Sequence, residues 1–438
     1  MSNVDRRSLL RAGLGLGALA GIPGLAACSG GSKGSGGGSG PLRYPSWMWT
    51  DAGVNKYWNA SVQAFTKQSG LDVKKVPIAP NSYADQITTD IAGGRRPDIL
   101  PVFTNDMFAL MDNELLEPLD DQLAGKDWAS RELPIYQVAK RHGKTYGVVC
   151  TASPQSLVVN QKLMKKAGIE KIPTTIEELY GAVKQVKART GAWGFTWPMA
   201  SADYQNCYVS SMQWVLGFGS DWADKNAMPT ADAPKTVEAI NWMVKFARSG
   251  AVPTGMKVVD ARALFKDGKV AFMIDGPFLP SFVRAENPSL YPDITMVDSP
   301  TPTHAAITGG AFFVMLKGNQ RNADVWKYLE MINQESWQRR WVEQTSQLAG
   351  QQVQPSQKFL DDNPWVGNLM KTAAKYQTGF GYAPPTPKIA AKATEWQKQV
   401  IDSLIPIWNG KGDATRDLKE LQQKLEKWEQ TNDIHPGS

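Results

Sequence analysis

From Pro41 onward the chain alternates short apolar runs with stretches of helical periodicity. Arg43 to Trp49 reads as a strand, Val54 to Gln68 as an amphipathic helix and Leu71 to Ile78 as a second strand. Ser82 to Ala92 makes another helix and Asp98 to Phe103 a third strand. Strands separated by helices of about 10–15 residues imply βαβ units, a parallel sheet with helices on both faces and an α/β fold. Ligands of such sheets bind beyond the carboxyl ends of the strands. That rule singles out Trp47, Trp49, Asp51, Asn81, Tyr83, Phe103, Asn105 and Asp106. Trp47 and Trp49 share strand parity and are expected to face the same way; a helix N-cap is an equally good reading of Asp106.

A second half follows the same pattern. Ser156 to Asn160 reads as a strand, Gln161 to Ala167 and Thr175 to Arg189 as helices, and Trp193 to Trp197 as a strand. Pro173 and the Glu177-Glu178 pair are start signals for the longer helix. Helices are expected near Asp203 to Leu216, Pro234 to Ser249 and Asp260 to Asp267, and strands at Val270 to Ile274, Ile294 to Val297 and Ala311 to Leu316. Asn322 to Asn333, Glu335 to Gln344, Thr394 to Leu404 and Asp413 to Gln430 close the chain as helices. A four-residue spacing puts Tyr204 and Tyr208 on one helix face.

The first forty residues have a different grammar. A basic start with Arg6-Arg7 leads into the uncharged run Ala12 to Ala27, which is broken by several Gly and by Pro23 and is too short to span ~30 Å of hydrocarbon. Residues 1–27 are therefore expected to be a removable export signal. Leu25-Ala26-Ala27-Cys28 resembles a bacterial lipobox, which implies lipidation of Cys28, and Asp5 to Arg11 is similar to a twin-arginine signal, without deciding the export route. Ser29 to Gly40 is Gly and Ser apart from Lys33, so residues 28–40 read as an anchored flexible tether with a reach of roughly 20 Å.

Composition then narrows the chemistry. The 438 residues are 42% hydrophobic and 21% charged, which excludes a disordered chain and is enough to bury two cores. Net charge is +6, of which the leader supplies three Arg minus one Asp, leaving +4. So mild an excess argues against nucleic-acid binding. There are 16 Trp beside 3 His and 3 Cys. His142, His304 and His435 fall in no metal-ligand spacing, and no nucleophile elbow, Walker loop or dinucleotide fingerprint is present. No cofactor and no metal are expected. Trp326, Trp337, Trp341, Trp396 and Trp428 lie at helical positions and read as packing. Outside the cell, Cys150 and Cys207 are the two thiols left for a disulfide.

Several segments, in order, resemble the extracellular solute-binding proteins of bacterial ABC importers, especially the carbohydrate branch with the maltodextrin-binding proteins. They are Gly93-Gly94-Arg95-Arg96-Pro97-Asp98-Ile99-Leu100, Glu114 to Asp120, Gly143 to Val148 with Leu157 to Asn160, Ala167 to Leu179, and Phe265 to Phe278. Glu114, Val149 and Ile176 stand where that family usually carries Gly, Pro and Trp. The resemblance implies a two-lobed periplasmic-binding-protein-like fold of type II, with ligand closed between lobes joined by a hinge. Lobe 1 is expected over 41–150 and 303–348, and lobe 2 over 151–302 and 349–438.

The same resemblance implies a monomeric substrate-binding lipoprotein that captures a mono- or oligosaccharide and delivers it to permease subunits in the membrane. A sugar needs flat rings for its C–H faces and polar groups for its hydroxyl rim. To the strand-end residues the family likeness adds Asp275 and Phe278, the return crossing at Gly309-Gly310, the aromatics Tyr204, Tyr208 and Trp214, and Tyr382 from the loosely matching C-terminal region. A polyol or glycerophosphodiester in the same fold, and an exported glycan-modifying enzyme working with paired carboxylates, are the alternatives.

Overall fold

The computed structural model describes residues 40–379, Ile389 and residues 392–434. Cys28, Tyr382 and His435 lie outside the described residues, as does the leader.

The chain opens with β1 (Leu42–Ser46), α1 (Asn55–Ser69), β2 (Val73–Pro77), α2 (Pro80–Ala92), β3 (Leu100–Phe103) and α3 (Thr104–Asp112). A small hairpin, β4 (Lys140–Arg141) and β5 (Lys144–Thr145), precedes β6 (Val148–Pro154). Then follow β7 (Ser156–Asn160), α4 (Gln161–Lys166), α5 (Ile176–Thr190), β8 (Trp193–Phe195), α6 (Tyr204–Gly217), α7 (Pro234–Ala247), α8 (Val258–Lys266), β9 (Val270–Asp275), α9 (Phe278–Glu286) and β10 (Ile294–Val297). The chain returns on β11 (Ala306–Val314) to α10 (Asn322–Ile332) and α11 (Glu335–Thr345). It ends with α12 (Gln357–Asp362), α13 (Pro364–Tyr376), β12 (Gln377–Gly379), α14 (Ala393–Trp408) and α15 (Ala414–Thr431).

The helix starts follow local chemistry. Thr175 accepts a hydrogen bond from Glu178 N at the head of α5, and the Glu178 carboxylate accepts one from Thr174 N at 2.8 Å. The helix α9 is absent from the periodic pattern. Its Pro280 falls in the first turn, where a missing N–H costs nothing.

The sheets depart from the parallel expectation. β1 and β2 pair in parallel, as do β8 and β9, but β11 runs antiparallel to both β3 and β6, and β7 antiparallel to β9 and β10. The cause is the path of the chain, which crosses between lobes and re-enters each sheet from the opposite direction; mixed sheets result. The crossing is tight. Gln155 alone separates β6 from β7, and its N–H donates to Ile307 O at 2.7 Å on the returning strand. Gly309-Gly310 does not break β11 but continues its ladder opposite Ser153 and Ala152, so the strand begins at Ala306 instead of Ala311.

Two apolar cores flank the crossing. Tyr44, Trp58, Phe313, Tyr328 and Trp341 lie in the first, and Phe195, Tyr208, Trp214, Phe246, Trp396 and Trp408 in the second. Alternate residues of β7 serve both sides: Leu157 and Val159 point into the second core, while Val158 joins the first.

Candidate functional site

On lobe 1, the expected strand through Trp49 stops at Ser46. The Ser46 hydroxyl accepts Met48 N at 3.1 Å and winds Trp47–Trp49 into a 3-10 turn. Strand parity is lost there, so the two indoles diverge. Trp47 stacks on Phe103, with centroids 4.1 Å apart and planes at 21°, and meets Tyr83 edge-on at 4.8 Å. Trp49 turns to Tyr44 and donates Nε1–H to its carbonyl at 3.0 Å. Tyr83 is buried, its hydroxyl against the carbonyls of Pro45 and Pro101 at the ends of β1 and β3. It braces the strand ends from inside, and Phe103 remains partly exposed.

Asp51 sits in the turn before α1, where Oδ1 accepts Gly53 N at 2.8 Å. Burial raises its carboxyl above the usual range, against the opposing pulls of that N–H and of Arg262, with Glu286 adding to the rise. Asn105 and Asp106 occupy the second and third positions of α3. The N-cap is Phe103, so Asp106 is a first-turn carboxylate favoured by the helix dipole and not a cap.

On lobe 2 the organising feature is an ion pair. Arg262 of α8 donates Nε and Nη2 to the two oxygens of buried Asp275, at 2.8 and 3.0 Å, and Gly276 N adds a third bond to Oδ1 at 2.9 Å. The guanidinium lies 4.5 Å from the centroid of Phe278, which is half-buried at the start of α9. Gly276 is required here: a Cβ would lie 2.3 Å from the Phe278 ring.

The two sides meet. The Phe282 ring of α9 lies 3.4 Å from where a Cβ on Gly53 would stand, and Asp51 feels Arg262 and Glu286 across the gap. A groove of about 300 Å³ opens between Gly53 and Lys56 of lobe 1 and Ser281 and Arg284 of lobe 2. Asp51 adjoins Ala52, which lines this groove, and Phe278 shares α9 with Ser281 and Arg284; a groove of this kind can hold a solute. A family model described as bacterial extracellular solute-binding protein matches residues 51–339.

The chain belongs to the bacterial extracellular solute-binding proteins. This solute-binding protein is 24% identical over 387 residues to a binding protein of Brucella abortus, covering 86% of this chain and 90% of the other. It is 22% identical over 414 residues to the diacetylchitobiose binding protein DasA of Streptomyces coelicolor, covering 89% and 92%. Among solved structures, maltose-bound MalE3 of T. maritima superposes with a TM-score of 0.75 at 18% identity, over 88% of this chain and 98% of that one. UgpB of Mycobacterium tuberculosis in complex with glycerophosphocholine gives 0.76 at 17%, over 91% and 100%. These likenesses establish the two-lobed fold. The family is one of extracellular binding proteins, so the chain is an exported binding protein and not an enzyme.

Other expected site residues of this solute-binding protein fall elsewhere. Tyr208 and Trp214 are fully enclosed in the second core, Trp214 meeting Phe246 edge-on at 5.2 Å. Tyr204 is half-buried at the head of α6 with Lys398 of α14 6.0 Å from its ring. The shared face of Tyr204 and Tyr208 thus packs on the C-terminal helices. Gly310 lacks a side chain for packing reasons: a Cβ would lie 2.5 Å from Ile135 Cδ1. At Gly309 a Cβ would meet nothing nearer than Ser153 O at 3.8 Å. Cys150 and Cys207 are free thiols in separate cores, so the disulfide left open by the sequence does not form; burial pushes the Cys207 thiol up to about 12. Arg262, Phe282 and Arg284 escape the sequence reading, because their partners are distant in the chain and no spacing marks them.

Proposed function

We propose that this protein is the substrate-binding lipoprotein of an ABC sugar importer. Residues 1–27 direct export, Cys28 carries the lipid, residues 28–40 tether the body to the outer face of the membrane, and the monomer hands a mono- or oligosaccharide to permease subunits. The lobes divide at 41–150 with 303–348, and 151–302 with 349–438. The observation that carries the sugar reading is the Arg262–Asp275 pair stacked against Phe278, with Asp51 near enough for the Arg262 charge to oppose the rise that burial imposes on its carboxyl. An aromatic ring suits a sugar's C–H face, and charged groups held by one another offer strong directional bonds to neutral hydroxyls. The diacetylchitobiose and maltose ligands of similar proteins support the same class.

A phosphodiester, by analogy with the glycerophosphocholine complex, is less well served, because Asp275 already occupies Arg262 on two donors. Calorimetric titration of the mature protein with maltose, diacetylchitobiose and glycerophosphocholine tests the reading. Binding of either sugar at micromolar concentration supports it; binding of glycerophosphocholine alone sinks it.

A further inference from the structure

We propose that Asp203 is a positioning residue of the ligand wall: it caps α8, a helix other than its own, and through that helix aims Arg262 at Asp275. The proposal rests on the reading that the Arg262–Asp275 pair is what the protein offers to its solute. Asp203 stands at the N-cap of α6, where an aspartate ordinarily accepts from the backbone of its own first turn. Its carboxylate does not do so here. Oδ2 instead accepts Val258 N, of the first residue of α8, at 2.7 Å and across 55 positions of sequence. Oδ1 accepts the side-chain amide of Asn206 at 2.8 Å, which fixes the direction of the carboxylate. The first N–H groups of a helix have no partner within it. At the N-cap of α8 stands Lys257, whose ammonium has no acceptor to give them. Asp203 supplies the acceptor, and places a negative charge at the positive end of the helix dipole.

Spacing decides what depends on this cap. Val258 and Arg262 are four apart, so they lie one above the other on one face of α8. The turn that Asp203 holds is therefore the turn from which Arg262 leaves. Arg262 then meets both oxygens of Asp275 at the end of β9, at 2.8 and 3.0 Å. Two parallel donors to one carboxylate impose a defined geometry, so a displacement of the first turn of α8 reaches the ion pair directly. Asp203 is itself fixed by the chain on either side. Met199 N and Ala200 N both donate to Met256 O, at 2.7 and 3.1 Å, which joins the approach to α6 to the approach to α8. The buried Cys207 thiol donates to Ala200 O at 3.4 Å.

The test follows the Arg262 Nε–H by nuclear magnetic resonance in ligand-free, full-chain protein, with Arg262→Lys to assign the signal. The Arg321 Nε–H, which donates to Asp324 at 3.0 Å at the head of α10, is the internal control. In Asp203→Ala the Arg262 Nε–H is expected to exchange with solvent about fivefold faster than in the parent, the size of effect that a lost cap has on a helix end. The Arg321 signal should hold. Asp203→Asn, whose amide oxygen can still accept Val258 N, should return towards the parent. Affinity for the best sugar of the calorimetric panel should fall in step, about fivefold in Asp203→Ala and less in Asp203→Asn. An unchanged Arg262 exchange rate in Asp203→Ala, or an equal acceleration at Arg321, overturns the proposal, because the carboxylate would then serve only general stability. If Asp203→Ala does not fold by circular dichroism, Asn206→Ala takes its place. It releases Oδ1 and should speed the same exchange by a smaller factor; no change there counts equally against the proposal. Faster exchange with sugar affinity intact removes Arg262 from the ligand wall and so overturns the reading beneath the proposal.

Discussion

The two walls of the cleft are built by different physics. On lobe 1, Trp47 packs on Tyr83 and Phe103 at the ends of neighbouring strands while Trp49 turns to Tyr44, and three of the four, Trp47, Trp49 and Tyr83, are buried. On lobe 2, a charged side chain from α8 is pinned by a carboxylate at the end of β9 and covered by a ring that begins α9. The first wall is an extension of a hydrophobic core. The second is a polar device held by its own internal partners. Aromatic residues near a cleft thus divide into those that build the scaffold and those free to meet a solute, and burial separates them where composition does not.

The largest effect expected from breaking this contrast is at Trp47. Removing the indole in Trp47→Ala takes away a stacked and an edge-on ring contact at a site only 8% exposed. Large-to-small changes of this kind cost about 4 kcal/mol, which chemical denaturation will read as a lower midpoint. Should the midpoint hold while sugar binding vanishes, Trp47 is a ligand platform and the two walls are alike.

Arg262→Met comes next. It leaves Asp275 buried, with Gly276 N–H as the one remaining bond of the three described, and losing one partner of a buried pair costs about 3 kcal/mol. The double variant Arg262→Met with Asp275→Leu should regain most of that stability, because no uncompensated charge remains. Equal destabilisation by the single and double variants would mean that shape, not charge, sets the lobe 2 wall.

A smaller effect is expected from pH. Burial pushes Asp221 and Glu429 of lobe 2 up to about 7, with Glu426 and Asp224 adding to the rise at Glu429. The folded state therefore holds these protons more tightly than the unfolded chain, whose carboxyls titrate near pH 4. Their contribution to stability is complete below about pH 4 and is lost as pH rises through about 7. The denaturation midpoint should fall between about pH 5 and 7.5, and Asp221→Asn with Glu429→Gln should flatten that dependence. A midpoint that rises over the same range contradicts the assignment.

The contrast also explains what was legible in the sequence. Strand ends can be located from short-range pattern, which marks Trp47, Asp51 and Phe103 as candidates, and the family likeness adds Asp275 and Phe278 as further candidates. Parity failed at Trp49 because a single Ser46 hydroxyl turned the strand end into a 3-10 turn. Helical spacing linked Tyr204 to Tyr208 correctly but could not say that the shared face meets α14. Arg262 lies 13 residues from Asp275, and Arg284 lies 60 from Gln344; contacts at such separations belong to topology, on which local pattern is silent. The antiparallel pairings of β7 and β11 were hidden for the same reason.

The smallest change expected in stability, and the one that most directly separates the walls, is at Phe278. The ring is half-buried, so Phe278→Ala should leave the denaturation midpoint nearly unchanged. It should weaken binding of the best sugar in the panel about tenfold, the equivalent of ~1.4 kcal/mol, by removing both a face for the sugar and the cover over Arg262. Gly276→Ala offers an independent check. Its Cβ would stand 2.3 Å from the ring and must displace it, so affinity should fall with the aromatic group still present. If both variants lose stability and keep their affinity, Phe278 belongs to the packing of lobe 2, and the sugar-facing surface must be sought on the Trp47 side.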